Sequence, residues 1–517
     1  MPSSSSPSLL KSILLQDEWV DPKLALHFTI FLGLLLLGAI QHFVLRAGGR
    51  AASKTGRDGT TEDARQRPRD GGEGEEEEAA VVDSIHIYPI KSCKGSRVDS
   101  VELLKKGLEL DRNWAIVGTE KHLVLSLRQE AKLTLIQPSI DEEAGLLTVS
   151  LAPQAGRDDL KPFTIPLRPS QDELKRWDLL PELPMWGDAA DGRVVQALGQ
   201  TAGTPTPAEW LTEFLGYPAT LVQFDTTPSS ATRISHPIYR TPQPGPDVPS
   251  LQGPRGIHFA DEYPLLVATV ESLQALEDKV AEEVEEQAQE GARRAIAGLD
   301  PLTWSVLAGK GGDDLSNSIT NSPFGLESRE ARSDKPCIDM LRFRPNIVLK
   351  GRISSGGSHQ EAFPPFSEES WETLWFLPAR CTSETPPSTF QQEADHNHHG
   401  KLHLVARCAR CPLTTVNPST ADRDPAIPLR LLARDGWRMR VKVTTDQGYL
   451  GERDVDRRQP CFGMYACPVP LGLVDGAPAV GVGGDEDEDE VSYGRVQVGD
   501  RVRVRWRKEE TEESSET

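Results

Sequence analysis

The chain has 517 residues and a formal net charge of −21. That length gives room for two or three domains, and so acidic a chain makes a poor partner for phosphate backbones, which excludes nucleic acid as an expected ligand. Seven cysteines, odd in number and scattered, do not form a disulfide framework.

After an N-terminal segment, 1–23, residues 24–45 hold no charge and are rich in Leu, Ile, Phe and Val. About twenty such residues cross a hydrocarbon core as a helix, so a single transmembrane helix anchored in a lipid bilayer is predicted over 24–45. Arg46, Arg50, Lys54 and Arg57 follow it, which places the body on the cytosolic face. Residues 46–80 are Gly-, Arg- and Glu-rich and read as a disordered tether. Glu75 to Glu78, like the later run Asp485 to Glu490, read as solvated.

Short β-type runs begin at Ser84 and recur at Trp114, Leu123, Leu147 and Arg193, with a helix predicted from Pro207 to Leu215. They define a β domain over 82–225, followed by a Pro- and Ser-rich junction. A second β-rich domain, 253–507, has runs at Phe343–Leu349, His403–Ala406, Arg438–Val443 and Arg501–Trp506. Set into it are a helical pattern from Pro264 to Ala297 and polar stretches at 309–334, 352–400 and 475–492, which read as surface loops. His396, His398 and His399 fall in one of these. Residues 508–517 form a charged tail. The fold class is mainly β with some helix (α+β).

Cys411 stands between a half-buried strand, Leu402–Ala406, and Pro412, so its thiol would be delivered into a turn beside Arg410. It reads equally as a buried core cysteine or as a soft metal ligand. Cys408, Cys411, Cys461 and Cys467 could together hold zinc, although the second pair and the gap between pairs are loose for that. Lys91, Arg112, Arg344 and Arg410 supply positive charge, and Ser92 and Asn346 neutral hydrogen bonds, nearly all of them close to a turn-forming Pro or Gly. Singly each reads as a surface ion pair. Together they suit a phosphorylated, metal-bearing ligand.

The stretches Tyr88-Pro89-Ile90-Lys91-Ser92-Cys93-Lys94-Gly95, Arg342-Phe343-Arg344-Pro345-Asn346-Ile347 and Arg407-Cys408-Ala409-Arg410-Cys411-Pro412-Leu413-Thr414-Thr415-Val416 resemble the MOSC family of molybdenum-cofactor proteins. Within it, the wording is most similar to the mitochondrial amidoxime-reducing component, over about residues 82–507. The resemblance implies a MOSC N-terminal β-barrel domain followed by a MOSC β-barrel domain, and the molybdenum cofactor (Mo-molybdopterin) as ligand. Cys411 would be the molybdenum ligand and catalytic centre. Lys91, Ser92 and Arg112 from the first domain, and Arg344, Asn346, Arg410 and Tyr465 from the second, would hold the pterin and its phosphate.

It further implies reduction of N-hydroxylated substrates such as amidoximes, with electrons from cytochrome b5 and its NADH-dependent reductase, at the mitochondrial outer membrane. The chain departs from the family pattern at Glu262-Tyr263-Pro264, Ala409 and Asn417. Two other readings stand beside this one. The first is a molybdenum-cofactor or sulfur carrier without turnover, like the MOSC domain at the end of the cofactor sulfurases; the second is a zinc-binding interaction module.

Overall fold

The computed structural model describes residues 76–185, 188–199, 205–227, 233, 256–282, 338–352, 363–379, 398–424, 427–433, 440–443, 457–471 and 491–507. The apolar stretch 24–45, the tether up to residue 75, the loops at 309–334 and 475–490 and the tail 508–517 lie outside these residues. Among the described residues, no helix is long and apolar enough to cross a membrane.

The fold is mainly β, with barrels and few helices. Seven strands close on themselves through successive pairings: Glu76–Ile87 with Ile347–Gly351, then Leu265–Thr269, Arg457–Pro468, Gly400–Ala409, Trp371–Leu377 and Arg501–Trp506, which returns to Glu76–Ile87. Six of these seven come from the second half of the chain, and the first described strand completes their ring. Alternation builds the wall: Val502 and Val504 are fully buried, while Arg501, Arg503 and Arg505 between them point outward. Leu374, Phe376, Leu402, Leu404, Phe462 and Met464 fill the interior with them.

Three expectations change here. Glu76 and Glu78 are not a solvated tail: they sit in the first strand opposite Arg505 and Arg503, and pair with Arg503, Arg505, Arg501 and Arg352. The helical pattern does not start at Pro264, because Leu265–Thr269 is a strand with every residue buried, and the helix occupies 270–282. A short apolar run looks the same at either period, and here the barrel takes it. The stretch 352–400 is not all loop, since Trp371–Leu377 is a barrel strand whose Glu372 and Thr373 had masked its apolar character.

Between the first strand and residue 227 lie a five-stranded sheet that pairs Trp114–Gly118 with Ala219–Phe224 and a three-stranded sheet built from Ile136–Asp141, Leu146–Leu151 and Phe163–Pro166. The helix Pro207–Leu215 has the bounds read from the sequence, with Thr206 and Glu209 forming a capping box and Gly216 ending it in left-handed backbone. A second apolar core, including Trp114, Ile116, Leu133, Trp210 and Leu221, unites these elements.

Candidate functional site

The expected ligand-binding residues cluster where barrel strands end. The first strand stops at Ile87 because Pro89 cannot donate to a ladder. The chain then turns through Ser92, whose φ is 67°. Arg112 and Arg344 share that left-handed backbone, each at φ 55°. Such conformations are uncommon outside glycine and tend to mark functional sites. Hydrogen bonds over-determine them: the Arg112 N–H donates to the Tyr88 carbonyl (2.8 Å) and that of Arg344 to the Leu341 carbonyl (3.1 Å).

Tyr88 sits at the centre, 1% exposed. Its N–H is held by Asp111 Oδ1 at 2.7 Å and its hydroxyl donates to the Pro345 carbonyl at 3.1 Å. The Arg112 guanidinium lies 4.8 Å and that of Arg344 4.1 Å from its ring centroid. Arg112 also donates to the Asp111 carboxylate and to Asn346 Oδ1 (3.2 Å). Asn346, 1% exposed, ties the strand ends together by donating to the His86 carbonyl (3.2 Å) and accepting from the Leu266 N–H (3.2 Å). Arg344 donates to the Cys93 carbonyl at 2.8 Å, and burial pulls its guanidinium down to about 10. Its Nη2 is buried with no hydrogen-bond partner among the described residues.

Lys91 is also buried. Its ammonium donates to the Phe259 carbonyl (2.9 Å) and to Asp261. Burial lowers its pKa to about 8 against the opposing pull of Asp261. Arg233, which the sequence reading did not single out, braces that corner through the carbonyls of His258 (2.8 Å), Ala260 and Asp261 (2.7 Å).

Cys411 follows the strand Gly400–Ala409 and caps the 3-10 helix Pro412–Thr415, whose Thr414 hydroxyl donates to the Cys411 carbonyl at 3.1 Å. It is half-buried, whereas Cys93, Cys408, Cys461 and Cys467 are buried. Burial pushes the Cys408 thiol up to about 12 and that of Cys93 higher still. Arg128 Nε donates to Cys411 Sγ at 2.9 Å. Burial alone would lower the Arg128 guanidinium; Cys411 and Asp261 more than offset it and leave it raised.

The structure therefore replaces one expectation. Arg410 does not serve the neighbouring thiol: it clasps the carbonyls of Phe462 (2.9 and 2.6 Å) and Phe343 (3.1 Å). Arg128 takes that place, from 283 residues earlier in the chain and with no Gly or Pro turn to flag it. Ser92 Oγ accepts from the Leu127 N–H (3.2 Å), and Arg423 donates to the Leu127 and Arg128 carbonyls, so both ends of the site position this guanidinium. Tyr465 lies in the barrel wall, its ring 5.1 Å from that of Tyr263, and burial beside Cys408 and Glu262 raises its hydroxyl far above the usual range. Asn417 is buried, and its Nδ2 has no hydrogen-bond partner among the described residues. No group of three or more His, Cys, Asp or Glu is placed to hold a metal ion among the described residues, so the zinc module gains no support.

Residues 79–218 match the MOSC N-terminal beta barrel domain. The chain is homologous to fungal molybdenum cofactor sulfurases. The Aspergillus oryzae molybdenum cofactor sulfurase is 30% identical over 67% of this chain and 34% of its own length. The Emericella nidulans sulfurase is 26% identical over 81% of this chain and 41% of its own. The chain thus spans well under half the length of these curated relatives. A solved structure of a Bordetella bronchiseptica protein covers 24% of this chain and 85% of its own at 13% identity with a TM-score of 0.17, too low to bear on the fold.

These relatives overturn the expected activity. Reduction of N-hydroxylated substrates rested on likeness to the amidoxime-reducing component, whereas the homologues carry the name of sulfurases, which the carrier reading fits better. The placement in the mitochondrial outer membrane falls with it. It came from the same likeness, its apolar stretch lies outside the described residues, and no described helix is fit to cross a membrane. Cytochrome b5 and its reductase lose the reaction that called for them.

Proposed function

We propose that this chain is a MOSC-type carrier that holds the molybdenum cofactor between its two barrel regions and receives sulfur on Cys411. The observation that carries the reading is the contact between Arg128 and Cys411: one half-exposed thiol, among described cysteines that are otherwise buried, is met by a guanidinium that donates to its sulfur at 2.9 Å.

The residues fit the cofactor by their chemistry. Among the described residues, Lys91 pairs with the Asp261 carboxylate and Arg112 with that of Asp111, while Arg344 donates to the Cys93 carbonyl and keeps a buried N–H group with no partner there. An anionic tail would satisfy that group, and a guanidinium suits phosphate oxygens. Lys91, Ser92, Arg112 and Arg344 would hold the phosphate-bearing part, with the half-exposed Cys411 thiol at the other end open to a sulfur donor. The bound cofactor supplies the molybdenum centre on which sulfur is exchanged. Arg410, Asn346 and Tyr465 support the site by fixing backbone and wall. In sulfur uptake the Cys411 thiolate attacks the outer sulfur of a donor persulfide; a new S–S bond forms and the donor leaves as its thiolate, with Arg128 holding the attacking anion in place.

The test is to purify the full chain from cells that make the cofactor and to quantify molybdenum and oxidised pterin in wild type, Arg344→Ala and Cys411→Ser. Stoichiometric pterin in wild type that is lost in Arg344→Ala supports the reading. Wild type without pterin contradicts it.

A further inference from the structure

Two like charges and an aromatic ring share the buried corner beneath the expected phosphate end. Arg112 and Arg344 both lie over the Tyr88 ring, at 4.8 and 4.1 Å, with Asp111 as the one carboxylate among the described residues hydrogen-bonded to either. One positive charge is thus left without a carboxylate of its own, and Arg344 Nη2 without a hydrogen-bond partner among the described residues. The negative face of an aromatic ring attracts a guanidinium and fixes its plane. Tyr88 cannot drift, because Asp111 holds its N–H and Pro345 accepts from its hydroxyl. Gly95 lies against the ring: a Cβ there would stand 2.5 Å from Tyr88 Cε1 and 2.7 Å from Cδ1. The ring therefore occupies space that only a glycine at 95 leaves open.

We infer that Tyr88 is a positioning residue whose ring sets the spacing of the Arg112 and Arg344 guanidiniums for a phosphate-bearing ligand, with Gly95 keeping the ring's place free. The inference rests on the anionic site proposed above. Its chemistry belongs to the ring, not to the hydroxyl, since both guanidiniums meet the π-face while the hydroxyl is turned to Pro345.

Calorimetric titration of the full chain with inorganic diphosphate tests it. Wild type binds saturably and Arg344→Ala does not. Tyr88→Phe binds within about two-fold of wild type, and Tyr88→Leu about ten-fold more weakly, the scale of a desolvated cation–π contact. Gly95→Ala, which keeps the ring but displaces it, weakens binding several-fold, and it decides the matter against Tyr88→Phe should Tyr88→Leu fail to fold by circular dichroism. Wild-type affinity in Tyr88→Leu and Gly95→Ala, or equal loss in Tyr88→Phe and Tyr88→Leu, overturns the role of the ring while Arg344→Ala still upholds the site. No saturable binding by wild type, or undiminished binding by Arg344→Ala, overturns site and inference together.

Discussion

Around Tyr88 the backbone is left-handed at Ser92, Arg112 and Arg344, with Lys91 and Arg344 buried and Arg112 half-buried, whereas around Cys411 it is extended, with φ −123° and ψ 176°, and the side chain is half-exposed. The first region has the marks of a place that holds charge: strain over-determined by hydrogen bonds, and guanidiniums stacked on a ring. The second has those of a place where chemistry happens, a thiol brought to the rim by a proline and steadied by one distant arginine. The difference teaches that binding and reactivity are separable here. Arg128, held from Ser92's side through Leu127 and from Cys411's side through Arg423, joins the two.

The sharpest way to break that division is Cys411→Ser. It is expected to abolish sulfur uptake from a persulfide donor while leaving pterin content within about two-fold, because a hydroxyl keeps the size but not the nucleophile. Arg344→Ala is expected to do the reverse, lowering pterin affinity by about 100-fold, the scale of losing a buried charge-assisted contact, with the Cys411 thiol still open to alkylation. Arg128→Gln lies between: sulfur uptake slows about ten-fold, the worth of one hydrogen bond to a charged group, as stopped-flow mixing with the donor would measure.

The smallest effect lies away from both regions, in the barrel. Glu368 is fully buried, accepts from the Ser272 hydroxyl (2.9 Å) and that of Thr269 (3.1 Å), and burial pushes its carboxyl up from 4.5 to about 7. A carboxyl raised by folding stabilises in its protonated form, fully below its unfolded value and progressively less as pH climbs through the folded one. Stability is expected to fall by about 2 kcal/mol between pH 5 and pH 8. Denaturant titration of Glu368→Gln should flatten that slope and leave pterin content unchanged.

Much of the barrel was legible because its strands alternate plainly, as in Arg501–Trp506, and because the helix Pro207–Leu215 carries its own capping signals. Trp371–Leu377 and Leu265–Thr269 were not, the first diluted by polar neighbours and the second too short to distinguish strand from helix. The stretches around Lys91-Ser92 and Arg344 could be picked out because a Pro or Gly stands beside them, whereas their left-handed backbone, like that of Arg112, could not be read. Arg128 and Arg423 could not be picked out, since an arginine acting across hundreds of residues leaves no local period or spacing, and Arg233 acts across 25 residues with no spacing signal either. Arg410 misled for the same reason: adjacency in sequence to Cys411 carried no information about where its guanidinium points.

The division of labour is tested most directly by peptide mass spectrometry of the full chain after incubation with a small-molecule persulfide donor. The account requires the mass of one added sulfur atom on the peptide bearing Cys411, lost in Cys411→Ser and retained in Arg344→Ala. Sulfur added instead at Cys93, Cys408, Cys461 or Cys467, or none at all, would contradict it.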